Sequence, residues 1–195
     1  FSGFRIRLVK NSWLNLGLIS GILGGSLYTA WNYLLISYQK NRILTLFNPE
    51  SDPLGSGYHI LQSKIAIGSG GLTGKGITYG SQSRLDFVPE QSTDFIFSVL
   101  AEEMGFVGFI LLLSIYTLII YRCFNLSLRC EDNFSRLLGA SLTFVLFTYV
   151  FVNMAMVSGL LPVVGIPLPL ISYGGSSLMT LMASFGIIMS IHKHK

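Results

Sequence analysis

Residues 104–121 read MGFVGFILLLSIYTLIIY, and no residue in this run is charged. Two longer charge-free runs lie on either side of it, at 11–39 and 137–192. An α-helix rises about 1.5 Å per residue, so roughly 20 apolar residues cross the hydrocarbon core of a bilayer. Only 11% of the 195 residues are charged, whereas about a quarter are charged in a soluble globular domain. The sequence therefore predicts an integral membrane protein.

Three prolines divide the longest charge-free run, because proline lacks the backbone N–H and fixes φ. Pro162, Pro167 and Pro169 leave an apolar stretch on either side, and each stretch is long enough for one span. We therefore predict an all-α, polytopic membrane domain over residues 1–195. Its four transmembrane helices are predicted at about 13–37, 95–121, 137–161 and 170–191, with a long extracytoplasmic loop at 38–93.

Basic residues near the spans predict the orientation, because they collect on the cytoplasmic side of short loops. The segment 158–175 and the loop 38–93 are then predicted to lie outside. The loop carries five basic and four acidic residues, which argues weakly against this orientation. No basic patch occurs elsewhere, so we expect no nucleic-acid partner. The groups assigned to the cytoplasmic side are Arg5, Arg7 and Lys10, then Arg122, Arg129 and Arg136, then Lys193 and Lys195.

The outer loop contains a glycine-rich stretch at 68–76, which reads GSGGLTGKG. It does not match a Walker A loop, because position 69 is Ser and position 76 is Gly. The glycines would still allow a ligand to approach the backbone closely, and Lys75 offers a cation for a phosphate group. A plain flexible loop is the alternative.

Residues 57–67, which precede this stretch, are predicted to form a short helix at the membrane surface. Helical spacing places Tyr58, Leu61 and Ile65 on its apolar face and leaves Ser63 off that face.

Residues 89–103 read PEQSTDFIFSVLAEE and mark the outer end of the second span. Thr93 and Asp94 are good N-cap residues, so a helix cap is one interpretation of Asp94. Glu102 and Glu103 follow inside the predicted span, where a charge costs roughly 2.5–3.5 kcal/mol. Such carboxylates usually face a bundle interior or a wet cavity. We expect one of them to line a cavity and the other to pair with a neighbour.

The third and fourth spans are joined by an uncharged, proline-rich segment, which reads VSGLLPVVGIPLPLISYGGSS at 157–177. Irregular backbone near membrane depth is tolerated where it lines protein or a water-filled cavity. We expect this segment to dip toward the membrane beside the outer loop.

The motifs at 89–103 and 159–177 resemble those of the SEDS family (shape, elongation, division and sporulation), which includes RodA, FtsW and SpoVE. Residues 52–60, DPLGSGYHI, and 62–71, QSKIAIGSGG, resemble the elongation member RodA more than the division member FtsW. The family has ten spans, and this chain resembles the last four. The resemblance therefore leads us to expect that the first six spans are missing here.

The resemblance implies a peptidoglycan glycosyltransferase, which polymerises lipid II into glycan strands during cell elongation and rod-shape maintenance. The reaction takes place on the outer face of the bacterial cytoplasmic (inner) membrane. The expected partners are lipid II, the growing glycan strand, membrane lipid and a class B penicillin-binding protein. The family's essential acidic residue lies in a Thr-Asp-Phe motif, which places it at Asp94.

The implied reaction joins a donor sugar, linked to a lipid through an α-diphosphate, to the 4-hydroxyl of an acceptor sugar. The product is β-linked, so one displacement with inversion is sufficient, assisted by a base and by a cation for the diphosphate. Asp94 would stay ionised near a helix N-terminus and act as the base. Alternatively, Asp94 could hold Mg²⁺ or Mn²⁺, and no organic cofactor is expected.

The substrate-binding candidates are polar side chains of the outer segments and of the outer end of the second span. Lys75 and Arg84 are the candidate partners of the diphosphate. The full set is Lys75, Gln82, Arg84, Glu90, Thr93, Glu102, Ser172 and Ser176.

Two other functions are compatible with a multi-spanning protein that carries carboxylates in its spans. A lipid II flippase would need a polar path through the bilayer, whereas the polar residues here crowd at the outer entrance. A non-catalytic scaffold for the penicillin-binding protein would have no need for Asp94 or for a dense polar loop.

Overall fold

The computed structural model describes residues 12–52, 55–77, 79–80 and 93–193. All regular elements in these residues are helical, and no β-strand occurs among them, as predicted for an all-α fold. The chain forms two compact units, Phe1–Leu44 and Thr45–Lys195.

The first unit contains α1, Ser12–Thr29, which continues into one π-helical turn at Ala30–Leu34. Leu35 has extended backbone angles (φ −82°, ψ 124°) and ends this helix. Helix α2, Ser37–Phe47, begins two residues later and extends into the second unit. The α1 helix with its π-helical turn corresponds to the predicted span at 13–37.

In its described residues, the second unit continues with a short 3-10 turn at Pro49–Ser51 and four further helices. These are α3, Ser56–Gly70; α4, Ile96–Leu128; α5, Asn133–Val157; and α6, Gly175–Lys193. Helix α4 packs against α3 and α5, α6 packs against α4 and α5, and α3 also contacts α5. Buried apolar side chains from α3, α4, α5 and the segment before α6 form one core between them.

Two of these helices, α4 and α5, are long and apolar enough by length and composition to cross a bilayer. They correspond to the predicted spans at 95–121 and 137–161. The apolar part of α6, Gly175–Ile191, is shorter and begins five residues after the predicted start at 170. The number of membrane crossings in this chain stays a prediction.

Helix α4 is broken at Gly105, whose backbone angles are φ 64° and ψ −157°. The 23 residues after the break extend roughly 35 Å at 1.5 Å per residue, which is enough to cross the hydrocarbon core. The residues before it, 96–104, form a separate short arm that carries Glu102. The apolar pattern predicted one continuous helix here and gave no sign of the break.

Helix α3 begins and ends close to the predicted bounds, but it packs through a face that the apolar pattern did not mark. Ile60, Ser63 and Ala66 are all at most 1% exposed, whereas Ile65 on the predicted apolar face is 50% exposed. The Ser63 hydroxyl donates a hydrogen bond to the carbonyl oxygen of Val157 at 2.8 Å. This bond joins α3 to the end of α5.

Candidate active site

Asp94 lies in the turn that leads into α4. Phe95 occupies the N-cap position of this helix, so the helix boundary does not support a capping role for Asp94. Phe95 is 3% exposed, and its carbonyl oxygen accepts hydrogen bonds from the Ser98 N–H at 3.0 Å and the Ser98 hydroxyl at 2.7 Å. The turn is thereby anchored to the core, while Asp94 itself is only partly buried.

A buried amide joins Asp94 to the two neighbouring segments. Asn153 of α5 is 0% exposed, and its Nδ2 donates to the carbonyl oxygen of Asp94 at 2.9 Å and to that of Ile166 at 2.7 Å. A Cβ atom added to Gly165 would lie 3.2 Å from Oδ2 of Asp94. The start of α4, the side of α5 and the segment 158–174 therefore meet at Asp94: Asn153 of α5 bonds to its carbonyl oxygen, and Gly165 lies beside its carboxylate.

Asn153 was not among the predicted site residues, although its position in an apolar span is a signal for it. A buried amide is costly unless it is hydrogen-bonded, so an asparagine inside an apolar span is expected to bond to other protein groups. Sequence alone could not identify its acceptors, because one of them is 59 residues away.

Ser172, a predicted substrate-binding residue, belongs to a tight turn in the segment before α6. Its hydroxyl accepts a hydrogen bond from the Leu168 N–H at 2.7 Å, and its own N–H donates to the Leu168 carbonyl at 3.0 Å. Leu170, inside the turn, has φ 69°, which is uncommon for a residue other than glycine. The Tyr116 hydroxyl of α4 donates to the Pro169 carbonyl and attaches the turn to α4. Ser172 thus shapes the turn, and it lines a cavity of about 230 Å³ between α5 and α6.

The glycine-rich stretch docks on the break in α4. Two of its N–H groups donate to α4 carbonyls before the break, and two α4 N–H groups after the break donate to its carbonyls. These bonds satisfy backbone groups that the break removes from the helical ladder. The four pairs are Lys75 with Glu102 (3.1 Å), Gly76 with Glu103 (3.0 Å), Phe106 with Gly71 (3.0 Å) and Val107 with Leu72 (3.1 Å).

Glycine is required in this contact because the two backbones touch. A Cβ on Gly74 would lie 2.0 Å from the Glu103 carbonyl oxygen, and a Cβ on Gly105 would lie 2.3 Å from the Gly74 nitrogen. Both glycines also have positive φ, 78° and 64°, which other residues adopt at a cost. The glycines therefore allow close approach to the chain's own backbone, an arrangement that differs from both the ligand-binding loop and the flexible loop proposed from sequence.

Lys75 and Glu102, two predicted substrate-binding residues, form an ion pair with each other. Lys75 Nζ lies 2.7 Å from Glu102 Oε1, and the Glu102 side chain is completely buried whereas that of Lys75 is 30% exposed. The Ser69 hydroxyl lies 3.4 Å from the same carboxylate oxygen. Glu102, one of the two carboxylates predicted to lie in the span, thus pairs with a neighbour. The negative charge of Glu102 balances the positive charge of Lys75. Lys75 is therefore a weaker candidate for binding the diphosphate of the substrate.

Lys64 is a cation that was predicted only as one of the five basic residues of the loop 38–93. A Cβ on Gly159 would lie 2.6 Å from Lys64 Nζ, so the ammonium group lies against the first residues of the segment 158–174. Lys64 is exposed, and the structure shows no hydrogen bond or ion pair between it and any described residue. This cation therefore lies beside the segment whose other part contacts Asp94.

The remaining candidates divide into two groups. Thr93 directly precedes Asp94 in the same turn, and Ser176 is exposed in the first turn of α6. Gln82, Arg84 and Glu90 fall in 81–92, outside the described residues.

The metal-binding alternative for Asp94 depends on further ligands. In the described part of the chain, no group of three or more His, Cys, Asp or Glu side chains could hold a metal ion. Mg²⁺ is often bound by one or two carboxylates together with phosphate oxygens of the substrate. Asp94 could therefore hold such a cation only if oxygens of the substrate diphosphate serve as further ligands.

The family model for cell cycle proteins of the FtsW, RodA and SpoVE type matches residues 1–195, which is the whole chain. The chain belongs to the FtsW/RodA/SpoVE family. This is the SEDS family that the motifs at 89–103 and 159–177 indicated, so that prediction is confirmed, and with it the polytopic membrane class.

Curated members of the FtsW/RodA/SpoVE family include close relatives of this chain. The peptidoglycan glycosyltransferase MrdB of Escherichia coli (strain K12) is 55% identical over 184 residues, which cover 94% of this chain and 50% of MrdB. The peptidoglycan glycosyltransferase RodA of Treponema pallidum (strain Nichols) is 44% identical over 177 residues, which cover 91% of this chain and 40% of that protein. The chain thus spans about half the length of the curated relatives that it matches.

Solved structures of family members share the fold. A chain of a peptidoglycan synthase complex, solved to describe how polymerization and crosslinking are coordinated, is 34% identical with a TM-score of 0.67. The match covers 91% of this chain and 48% of that one. The rod shape determining protein RodA of Thermus thermophilus, in an aspartate-to-alanine mutant, is 38% identical with a TM-score of 0.53, covering 63% of this chain and 38% of that one.

Proposed function

We propose that this chain forms the Asp94-bearing half of a peptidoglycan glycosyltransferase that polymerises lipid II. The observation that carries the proposal is the position of the Asp94 carboxylate, which is partly exposed before α4 and lies against Gly165. Curated relatives named peptidoglycan glycosyltransferases support the reaction class. Because those relatives are about twice as long, the rest of the site would come from their other half.

The proposed role of Asp94 is that of a general base. The 4-hydroxyl of the acceptor sugar transfers its proton to the carboxylate, and its oxygen forms a bond to the anomeric carbon of the donor. The bond from this carbon to the diphosphate breaks, and the lipid diphosphate leaves with the electron pair. The α-linked donor gives a β-linked product because there is one displacement with inversion. A base in this position typically contributes about 10²- to 10⁴-fold in rate.

The leaving diphosphate requires a positive partner, and Lys64 meets this requirement better than Lys75. The ammonium group of Lys75 already lies 2.7 Å from the buried Glu102 carboxylate. Lys64 has no such acidic partner among the described residues, and its Nζ lies beside Gly159 on the segment that continues to Gly165. A phosphate oxygen could therefore bind Lys64 without breaking an existing ion pair.

We place the protein in the bacterial cytoplasmic membrane, with the Asp94 end of α4 outside. The similarity to a chain of a peptidoglycan synthase complex supports a class B penicillin-binding protein as the partner. The RodA-like residues at 52–71 favour a role in cell elongation and rod shape. A divalent cation held between Asp94 and the diphosphate stays an alternative to the base.

The test uses a full-length protein, in which this chain is part of a protein as long as its relatives. The assay is polymerisation of purified lipid II by the full-length protein together with a penicillin-binding protein. Asp94→Asn should abolish polymerisation, because an amide keeps the shape of the side chain but neither takes up a proton nor binds Mg²⁺ well. Asp94→Glu should be impaired as well, since one extra methylene displaces the carboxylate.

The matched control is Asp132→Asn. Asp132 is the N-cap residue of α5, and its side chain accepts a hydrogen bond from the Ser135 N–H. Asn caps a helix about as well as Asp, so polymerisation should be unchanged. Near-normal polymerisation by the Asp94→Asn variant would reject the proposal. Loss of lipid II movement across vesicles, with polymerisation intact, would instead indicate a flippase. Loss of partner binding alone would indicate a scaffold.

A further inference from the structure

Asn153 hydrogen-bonds to two segments that lie far apart in sequence. Its side-chain nitrogen donates one hydrogen bond to the Asp94 carbonyl and one to the Ile166 carbonyl, at 2.9 Å and 2.7 Å. The first acceptor lies in the turn before α4, and the second lies in the segment after α5. One amide group on a third element, α5, thus sets the distance between these two backbones.

The orientation of this amide follows from its partners. Both neighbours are carbonyl oxygens, so the NH₂ group has to face them, and each of its two hydrogens is used. The Oδ1 atom is buried and has no partner among the described residues. A side chain that is 0% exposed and donates twice, while its acceptor goes unused, is suited to holding two carbonyls in place.

The position of the Asp94 carboxylate depends on both of these backbones. Asp94 Oδ2 would be 3.2 Å from a Cβ on Gly165, the residue next to Ile166. Gly165 has φ 78°, a conformation that favours glycine, so the backbone can pass close to the carboxylate. If the Asn153 bonds were lost, the carboxylate and the Gly165 backbone could move apart.

We propose that Asn153 is a positioning residue for the transfer reaction, acting through Asp94. By holding the Asp94 and Ile166 carbonyls, it fixes where the carboxylate lies relative to the segment that borders it. The proposal rests on the proposed function of Asp94. A displacement of about 1 Å in a catalytic group can cost about 10²-fold in rate, so Asn153 should affect kcat more than substrate binding.

The test compares Asn153→Leu with Ser63→Ala in the full-length protein with its partner. Leucine keeps the approximate shape of asparagine but removes both donors. Ser63→Ala removes another buried hydrogen bond to α5, that to Val157, without touching Asp94. We expect kcat for lipid II polymerisation to fall by about 10²-fold in Asn153→Leu with KM nearly unchanged, and the Ser63→Ala variant to keep its kcat.

A double-mutant cycle separates positioning from a general structural effect. In an Asp94→Glu background the carboxylate is already displaced, so adding Asn153→Leu should reduce kcat much less than in the wild type. An equal reduction of kcat in both backgrounds would overturn the proposal. So would a reduction of kcat in Asn153→Leu that is fully explained by a smaller fraction of folded protein. If Asn153→Leu does not fold, Asn153→Ala takes its place, because a water molecule can occupy the space.

Failure of this inference is distinguishable from failure of the proposed function. An active Asp94→Asn variant would reject both the proposed function and the positioning role of Asn153. An inactive Asp94→Asn variant together with a fully active Asn153→Leu variant would reject the positioning role alone.

Discussion

Lys64 and Lys75 differ in how their charges are balanced, and this difference predicts different consequences of the same substitution. Lys75→Gln removes the ammonium group that lies 2.7 Å from the completely buried Glu102 carboxylate. Removing one partner of a buried pair typically costs about 3 kcal/mol or more of stability. Lys64→Gln breaks no ion pair with a described residue, so it should leave stability unchanged and instead raise KM for lipid II.

Thermal unfolding of the purified protein in detergent, together with polymerisation kinetics, checks this prediction. Lys75→Gln should lower Tm clearly, and adding Glu102→Gln should restore part of the loss because the buried negative charge is then removed as well. Unchanged KM in Lys64→Gln, with a raised KM in a folded Lys75→Gln/Glu102→Gln variant, would return the diphosphate role to Lys75.

Asp132, at the N-terminal end of α5, makes a pH-dependent contribution to the stability of the protein. Its carboxylate accepts hydrogen bonds from the Ser135 N–H at 3.0 Å and hydroxyl at 3.1 Å, and chiefly the first of these lowers the pKa of Asp132 below its usual 3.8. A lowered folded-state pKa gives stability that is present above pH 3.8 and is lost as the pH falls through the folded-state value. Asp132→Ala should therefore lower Tm at neutral pH, and this difference should shrink in more acidic buffer. A Tm difference that does not depend on pH would contradict this assignment.

The site residues were predictable from sequence to different degrees. Asp94 could be proposed from sequence because it lies in a continuous motif that resembles a known family. Asn153 and Lys64 could not, because their proposed roles depend on contacts with segments that are distant in sequence. Lys75 was assigned to a ligand because the pattern of glycines around a lysine is the same whether the backbone approaches a phosphate or another part of the protein.

Among the elements, the break in α4 gives the sharpest prediction. Gly105→Ala places a Cβ 2.3 Å from the Gly74 nitrogen and forces alanine to φ 64°, which alone costs about 1–2 kcal/mol. Gly68→Ala in α3 is the matched control, because a Cβ there meets nothing within 4 Å and the backbone is helical. Alanine should stabilise that position by about 0.4–1 kcal/mol. Tm should thus fall in the first variant and rise in the second, and equal Tm values would mean that the break tolerates a side chain.

Hydropathy predicted that α4 and α5 exist but could not locate the break in α4. Glycine at position 105 occurs within an apolar run, where it is equally compatible with close helix packing. The break is stable because residues 71–76 supply the missing backbone partners, and this pairing crosses about 30 residues of sequence. Element boundaries that depend on such distant pairing are not encoded in the local pattern.

At the scale of the whole molecule, the open question is which end of α4 faces outside. We expect Tyr173→Cys to be labelled by a membrane-impermeant thiol reagent in intact spheroplasts, and Glu131→Cys to be labelled only after lysis. Both positions are exposed, so burial would not prevent the reaction, and Cys123 and Cys130 are replaced by Ser beforehand. The reverse pattern would place Asp94 on the cytoplasmic side, where a reaction on the outer face is impossible.

The docking of residues 71–76 on α4 also determines how this end of the helix fluctuates. Four amides from two segments are held by each other's carbonyls, so none of these bonds can open unless the segments separate. They should therefore form one cooperative unit in hydrogen–deuterium exchange, with peptides around 71–77 and 103–108 exchanging at a common rate. Gly105→Ala should accelerate both peptides together. A protein that binds the glycine stretch would then slow exchange in the short arm of α4 before Gly105 without contacting it.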